Sequence, residues 1–340
     1  MSFIDKINLI TNDISFRGRQ SVVNESAMGS LPEKEQPCTA NAGREEASTD
    51  VSLPIGSKES AANSARRIKV IRPPTFSINT IFDGVRTLAQ YSDLLYTLIL
   101  FRLNVRYKQS FLGWTWALLQ PLALMGIYSV IFTRVTSIKT GGTPYPVFVF
   151  SGLLPWIFFS TSIASAVHGL VMHPNLLTKM YFPREIIPLS YLAAGLADFC
   201  IASLILVGLI VHYHVALTWN LLYAVPVVIL LGGFAAAIAL FLSALQVRFR
   251  DVGLAMPFLL QVWMFTVPVV YSLHSVPVRF RRLYLLDPVA GLIENFRMVV
   301  LGGMAPSASD LMASAAKTIL CCGLAYAYFK SAEATMADVI

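Results

Sequence analysis

Apolar positions along the chain gather into six unbroken stretches, at about 114–132, 147–171, 186–211, 221–245, 252–271 and 311–329. Each is close to the ~20 residues that a helix rising about 1.5 Å per residue needs to cross a hydrocarbon layer about 30 Å thick. That layer holds no water to satisfy backbone N–H and C=O groups, so continuous apolar runs predict spanning helices. A membrane barrel would show short segments of alternating polarity instead. The pattern predicts an all-α integral membrane fold with six transmembrane helices over residues 111–340.

Just before the first stretch, Tyr91, Leu94, Leu95, Leu98, Phe101 and Val105 recur at helical spacing, while Ser92, Arg102, Arg106 and Gln109 fall on another face. An amphipathic interface helix over 83–110, lying along the membrane surface, is expected. A further spanning helix is the alternative, since 94–103 is quite apolar; the two arginines and the short length weigh against it. Between the fifth and sixth stretches, 272–310 is too apolar for a plain loop, with hydrophobic runs at 283–286 and 289–301. Two short re-entrant helices dipping part-way into the bilayer would fit. Asp287-Pro288 offers the second of them a capping acceptor followed by a ring preset at helical φ, and Gly302-Gly303 a stop. Glu294 and Arg297 stand i,i+3 on it.

Residues 1–75 are a different material, rich in Ser, Asn, Glu, Lys and Gly and without apolar periodicity, and a disordered polar extension is expected there. No short apolar core follows a basic start, so the extension is read as uncleaved and cytoplasmic. It serves either as an inert tail or as a docking segment.

Composition agrees with lipid as the solvent, because 56% hydrophobic and 13% charged residues leave too little polar surface for a soluble globule. The formal charge of +7 does not call for nucleic acid, because the basic residues sit at helix ends. Arg102, Arg106 and Lys108, then Lys179 and Arg184, then Arg248 and Arg250 all fall on one face of a six-span chain. The positive-inside bias makes that face cytoplasmic and puts both termini there. Arg279, Arg281, Arg282 and Arg297 are the exception, on the nominally external side. Four cysteines, Cys38, Cys200, Cys321 and Cys322, have no metal-ligand spacing, and three lie in apolar runs as small fillers.

The chain carries no Walker loop, zinc-protease helix or dinucleotide fingerprint, so neither ATPase chemistry nor a resident cofactor or metal is expected on it. Deep in the spans the acidic residues are nearly limited to Asp198, which disfavours self-sufficient ion-driven transport. A lone carboxylate at the centre of an isolated span costs about 2.5–3.5 kcal/mol, so Asp198 either makes a structural hydrogen bond or belongs to a transport path. His168, His173, His212, His214 and His274 lie near span ends, as wetted interfacial residues do. Between the second and third spans, two prolines bracket one short helix within 173–185. A rigid knob with fixed ends suits transmission of force from a soluble motor; a passive loop is the alternative.

These residues also carry a family resemblance. Arg106-Tyr107-Lys108-Gln109-Ser110-Phe111-Leu112-Gly113-Trp114, followed by Trp116 and Gln120-Pro121, resembles the approach to the first span in the membrane subunit of ABC type-2 exporters, which move polysaccharides or polyol phosphates on lipid carriers. Phe150-Ser151-Gly152-Leu153-Leu154-Pro155-Trp156 is similar to that family's second span, Tyr181-Phe182-Pro183-Arg184-Glu185 to its coupling segment, and Val247-Arg248-Phe249-Arg250-Asp251 to its fourth-to-fifth turn. The closing Ala337-Asp338-Val339-Ile340 fits too. The resemblance covers about residues 85–340, in the family's order, and the extension before them departs from it.

The resemblance implies a homodimer in the bacterial inner membrane, driven by two copies of a separate ABC ATPase that holds the ATP and magnesium. The cargo implied is a lipid-linked glycan such as O-antigen, capsule or teichoic acid, moved outward, with membrane lipids as further partners and no nucleic acid. Motor contact is then expected at Asn175, Leu176, Lys179, Tyr181, Phe182, Pro183, Arg184 and Glu185. Tyr128, Trp263, Tyr271 and Asp198 are candidates to line the path, where aromatic faces stack on sugars, or to sit in belts at the headgroup level. Arg102 and Arg106 are candidates to hold a carrier's phosphates or to anchor anionic lipid. Two other classes stand beside this one: a glycan synthase on the same carrier, which needs an acidic cluster that is not visible, and a permease for a drug or small lipid.

Overall fold

The computed structural model describes residues 86, 88–108, 113–136, 143–174, 176, 182–216, 218–273, 277, 279, 284, 287–306 and 308–339. Among these the regular structure is helical, without a strand. In chain order the elements are α1 (Ser92–Tyr107), α2 (Thr115–Ile131, continued by a π turn over Phe132–Thr136), α3 (Tyr145–Gly169), α4 (Ile186–His212) and α5 (Ala224–Arg248, entered through a 3-10 turn at Trp219–Tyr223). They continue with α6 (Asp251–Thr266), α7 (Pro288–Leu301) and α8 (Ala308–Val339). The polar extension at 1–75 lies outside the described residues.

Five helices are long and apolar enough to cross a membrane: Thr115–Arg134, Tyr145–Gly169, Ile186–His212, Trp219–Arg248 and Ala308–Glu333. They answer to the first four and the last of the six apolar stretches. The stretch at 252–271 instead forms the 16-residue α6, which stops at Thr266. The reason is local: Pro268 has no N–H to give and forces the residue before it out of the helical region, and Val267 is indeed extended, with ψ 138°.

α3 is the centre of the bundle, packed against α2, α4, α5, α6 and α7. Its most apolar stretch is 78% buried, against 6% for that of α2, so α3 is surrounded by protein while α2 touches it along one side. Phe159 of α3 shows the packing, stacked on Phe234 of α5 with centroids 6.0 Å apart and met edge-on by Trp263 of α6 at 5.2 Å. α1 packs on α4 with Arg102, Leu103 and Tyr107 inward and Phe101 and Val105 exposed. The end of its apolar stripe therefore faces out of the protein, while Arg102 turns in toward polar side chains of α4 and Arg106 keeps open surface.

α7 begins as its sequence suggests. Asp287 accepts from the Val289 amide at 2.9 Å, Pro288 takes the first helical position, and Gly303 follows the end in the left-handed region at φ +56°. The Glu294–Arg297 pair forms, at 2.9 Å.

Arg297 does more than pair. Where α6 breaks, the carbonyls of residues 268–271 have no helical partner. The buried guanidinium donates to Pro268 O at 2.9 Å, Val269 O at 2.7 Å and Tyr271 O at 3.3 Å, and the Tyr145 hydroxyl donates to the remaining one, Val270 O, at 3.0 Å. The same guanidinium lies 4.2 Å over the Phe148 ring. α3 passes close enough to allow this only because residue 152 is glycine: a Cβ there would overlap Arg297 Nη2 and stand 2.6 Å from Val269 O.

Removing one member of a buried, hydrogen-bonded charge pair costs about 3–5 kcal/mol, because the other is left unpaired. Arg297→Met is expected to lower the unfolding temperature of the detergent-solubilised protein sharply, and Arg297→Lys, which keeps the charge but not the fork, to fall between. Melting of Arg297→Met at the wild-type temperature would overturn this account of the α6 break.

Candidate functional site

Three polar groupings hold the residues that the sequence singles out. The first joins the segment between α3 and α4 to the end of α8. His173, Leu176, Phe182, Pro183, Arg184 and Glu185 are described there; Asn175, Lys179 and Tyr181 of the expected motor contact lie outside the described residues. The chain turns at once, with the Leu176 amide donating to His173 O at 3.2 Å. Pro183 and Arg184 then supply the carbonyls that receive the first amides of α4, from Ile186 and Ile187, each at 3.2 Å. Phe182 packs against an apolar cluster formed by Leu170, Ile187, Leu240, Phe329 and Met336.

Glu185 is only 2% exposed, and a buried carboxylate must find a partner. It finds Lys330 of α8 at 3.0 Å; Lys330 also reaches Glu333 at 2.8 Å. Arg184 closes the group from the other side, its side chain donating to the Glu333 carbonyl and its amide to Glu333 Oε1 at 3.4 Å. Lys330 thus stands between two carboxylates, and Arg184 joins the group through hydrogen bonds to Glu333 rather than through an ion pair. Sequence reasoning missed Lys330 and Glu333. Their signal was weak but present, a Lys and a Glu three residues apart at the end of an otherwise apolar run.

The second grouping lies between α1 and α4 and brings together residues given separate roles from the sequence. Arg106 pairs with Asp198, and the Tyr107 hydroxyl donates to the same carboxylate at 2.8 Å. Burial, reinforced by that carboxylate, pushes the Tyr107 hydroxyl up to about 12, so it stays a donor at any physiological pH. Arg102 is buried, donating to the Ser190 hydroxyl at 2.7 Å with its guanidinium 3.2 Å over the Tyr191 ring. The Tyr191 hydroxyl in turn stands 3.4 Å from His173 Nε2, which links this grouping to the first. Burial, then the nearby Arg102 charge, holds the His173 imidazole below its ordinary value and keeps it neutral. Asp198 therefore has a cation and a hydroxyl, which is how a carboxylate is carried inside an apolar bundle.

The third grouping surrounds the α6 break. The Trp263 indole donates to Asp287 Oδ2 at 2.7 Å, tying α6 to the cap of α7. The Tyr271 hydroxyl donates to Phe265 O at 3.0 Å and lies 2.9 Å from the Tyr284 hydroxyl. Tyr128 is joined to this region by neighbouring rings, Tyr128 to Phe132 at 6.3 Å, Phe132 to Tyr145 at 6.0 Å and Tyr145 to Phe148 at 6.1 Å. Trp263, Tyr271 and Tyr128 are each half-buried. Among the described residues no cluster of three or more His, Cys, Asp or Glu could hold a metal ion.

What these groupings can do chemically is bind and move. Ion pairs, ring contacts and captured carbonyls connect helix ends.

Comparison with known proteins places this architecture. Residues 93–301 match the ABC-2 type transporter family. The O-antigen export system permease protein RfbA of Myxococcus xanthus is 33% identical over 258 residues, covering 75% of this chain and 98% of that protein. A protein of the same name from Klebsiella pneumoniae is 29% identical over 215 residues, 62% of this chain and 81% of that protein. The polysialic acid transport protein KpsM of Escherichia coli is 27% identical over 256 residues, 70% of this chain and 93% of that protein. With more than half of its length matched by that family and five helices long and apolar enough to cross a membrane, this multi-pass chain belongs to the ABC-2 type transporter family.

Proposed function

We propose that the chain is the permease subunit of an ATP-driven exporter that moves a lipid-linked polysaccharide, such as O-antigen or capsule, outward across the bacterial inner membrane. One observation carries the reading: the similarity to the Myxococcus xanthus permease runs over 98% of that protein, so its whole length has a counterpart here. The energy source is a separate ABC ATPase, two copies of it, holding ATP and magnesium, because the chain has no nucleotide-binding loop of its own.

Six crossings follow if α6 is completed by the residues after its break. Sixteen helical residues rise about 24 Å, about 6 Å short of the apolar thickness, and the turn and bends over 267–271 make up the rest. The end bearing Arg184, Arg248 and Lys330 then faces the cytoplasm with both termini, and α1 lies at that surface as the interface helix. The remaining domain boundaries, a polar extension over 1–75 and the six-span unit over 111–340, belong to the same reading.

The transport unit is a homodimer. Leu254, Phe258, Val262 and Phe265 form an exposed apolar stripe on α6, and Ile127 and Val130 another on α2. These faces, shared between lipid and a second copy, leave the half-buried rings of Tyr128, Trp263 and Tyr271 to stack on sugars along the path. Asp198 and Arg106 hold its flank, and Arg106, which keeps open surface beside the buried Arg102, exchanges its carboxylate partner for a carrier phosphate.

The motor contacts Asn175, Leu176, Lys179, Tyr181, Phe182, Pro183, Arg184 and Glu185. Closing of the ATPase pair on ATP moves that segment, and the permease responds only as far as its two conformations differ in affinity for the closed motor.

Deletion of the gene is expected to leave finished, lipid-linked glycan inside the cell, detected by extracting the carrier pool; loss of the chains altogether would point to synthesis, and retention of a small lipid to a different cargo. Arg184→Glu should reduce surface glycan about tenfold or more, the scale of an ordinary coupling free energy, with permease still in the membrane. Wild-type export by that variant would defeat the motor-contact assignment. Removal of the residues before Val70 should spare insertion and dimerisation, as read by membrane fractionation and size exclusion.

A further inference from the structure

The ion-pair group at Glu185 has a property that motor contact alone does not require. A segment that only docks on an ATPase needs exposed groups, yet Glu185 is buried and spends its charge inward, on a helix 145 residues further along. Arg184 likewise spends its side chain on the carbonyl of Glu333, and its backbone amide points to the carboxylate of the same residue. Two adjacent residues of the segment are therefore each fixed to α8, one at Lys330 and one a helical turn on at Glu333. With two attachments a turn apart, α8 follows both a shift and a tilt of the segment.

What α8 is fixed to on its other side matters as much. It packs along the length of α5, and through Phe329 and Met336 it shares an apolar cluster with Leu240 and Val247 of α5 and Leu170 beyond the end of α3. α5 and α8 both touch α7, the helix whose Arg297 holds the α6 break. A displacement of α8 therefore reaches α7 without passing through α4, although α4 is the element directly continuous with the segment.

We infer that Lys330 and Glu333 are positioning residues for transport, which clamp the coupling segment to α8 and so deliver the motor's stroke to the last helix as well as to α4. The inference rests on the proposed coupling role of the segment. It assigns to Lys330 and Glu333 no contact with cargo or nucleotide. The clamp is two ion pairs on one lysine, Lys330 with Glu185 and Glu333, joined to Arg184 by hydrogen bonds to Glu333. Such a group holds position while its members remain paired, and it penalises any movement of the segment that leaves α8 behind, since that would strand a buried carboxylate.

The test uses the full complex of permease and its ATPase from the native host. Two quantities are measured: ATP hydrolysis per complex in vesicles of phosphatidylethanolamine and phosphatidylglycerol, and surface glycan per permease on intact cells. Their ratio is the readout, because a merely structural defect removes complexes, which the normalisation cancels, and leaves the ratio unchanged. Lys330→Gln and Glu333→Gln are expected to lower glycan exported per ATP hydrolysed about tenfold, within the range of coupling energies, and Lys330→Arg to restore most of it. The exchange Glu185→Lys with Lys330→Glu, made together with Glu333→Gln so that no second carboxylate faces the new acid, should recover the ratio that Glu185→Lys with Glu333→Gln loses, and it carries the test if Lys330→Gln is not recovered from the membrane. A ratio unchanged in Glu333→Gln, or an exchange that recovers nothing, overturns the clamp. Failure of the underlying reading looks different: the ATPase would then co-purify equally well with permease altered at Asn175, Lys179 and Tyr181. If those changes release the ATPase while the ratio ignores position 333, the segment is the motor contact and only the clamp is wrong.

Discussion

A buried backbone group with no partner is the constraint that shapes this bundle most. Four successive carbonyls, at residues 268–271, leave the helical ladder together, and in a medium without water each would cost several kcal/mol. Arg297 and Tyr145 take all four. Much of the surrounding structure follows from that need. Glu294 must neutralise the guanidinium, Phe148 must offer it a ring face, and residue 152 must have no side chain. α7 must start where it does, which Asp287 fixes by capping its own helix and holding the Trp263 indole with its other oxygen. One proline at position 268 thus sets requirements on residues spread from Tyr145 to Arg297.

The charged groups elsewhere obey the same rule at lower cost. Asp198 would be expensive alone and is carried by Arg106 and Tyr107; Glu185 is carried by Lys330. Each carboxylate joins helices that the chain itself does not place next to one another, α1 with α4 and the start of α4 with α8. Apolar contact between lipid-immersed helices is a weak guide to register, because lipid tails are as apolar as leucine. Paired charges and captured carbonyls supply the register instead, and the close-packed α3, with Phe150 and Phe159 fully buried, fills the space they define.

Legibility from the sequence divides along the same line. What depends on neighbours in sequence could be read: the five long spans from apolar length, the cap of α7 from Asp287-Pro288, its end from Gly302-Gly303, and the Glu294–Arg297 pair from i,i+3 spacing. The stop of α6 was also readable, since Pro268 stood within the expected span, but apolar length outweighed it. What depends on distant partners could not be read. Arg297 as a captor of carbonyls requires knowing where α6 ends in space, and Glu185 gives no hint of a lysine 145 residues away. Arg102 and Arg106 were assigned to phosphate or lipid because arginines at a membrane surface commonly are. In the folded chain α4 offers them a serine, a tyrosine ring and an aspartate.

The two kinds of contact also bear on how a bundle without an engine could work. Side chains packed around α3 leave few voids, so small displacements at one end are not absorbed locally. Alternative arrangements are available where polar groups can exchange partners: the group at Arg184 and Glu185, the Arg106–Asp198 pair, and the Arg297 cradle. The first lies on the segment proposed to meet the ATPase and the third holds the break at the far end of α6, with α5, α7 and α8 packed in continuous contact between them. A binding event at the first can favour one arrangement at the third only if the elements between transmit position rather than dissipate it. Short, buried, paired contacts at helix ends meet that requirement better than flexible loops, and this is physically why polar residues persist in a chain otherwise built for lipid.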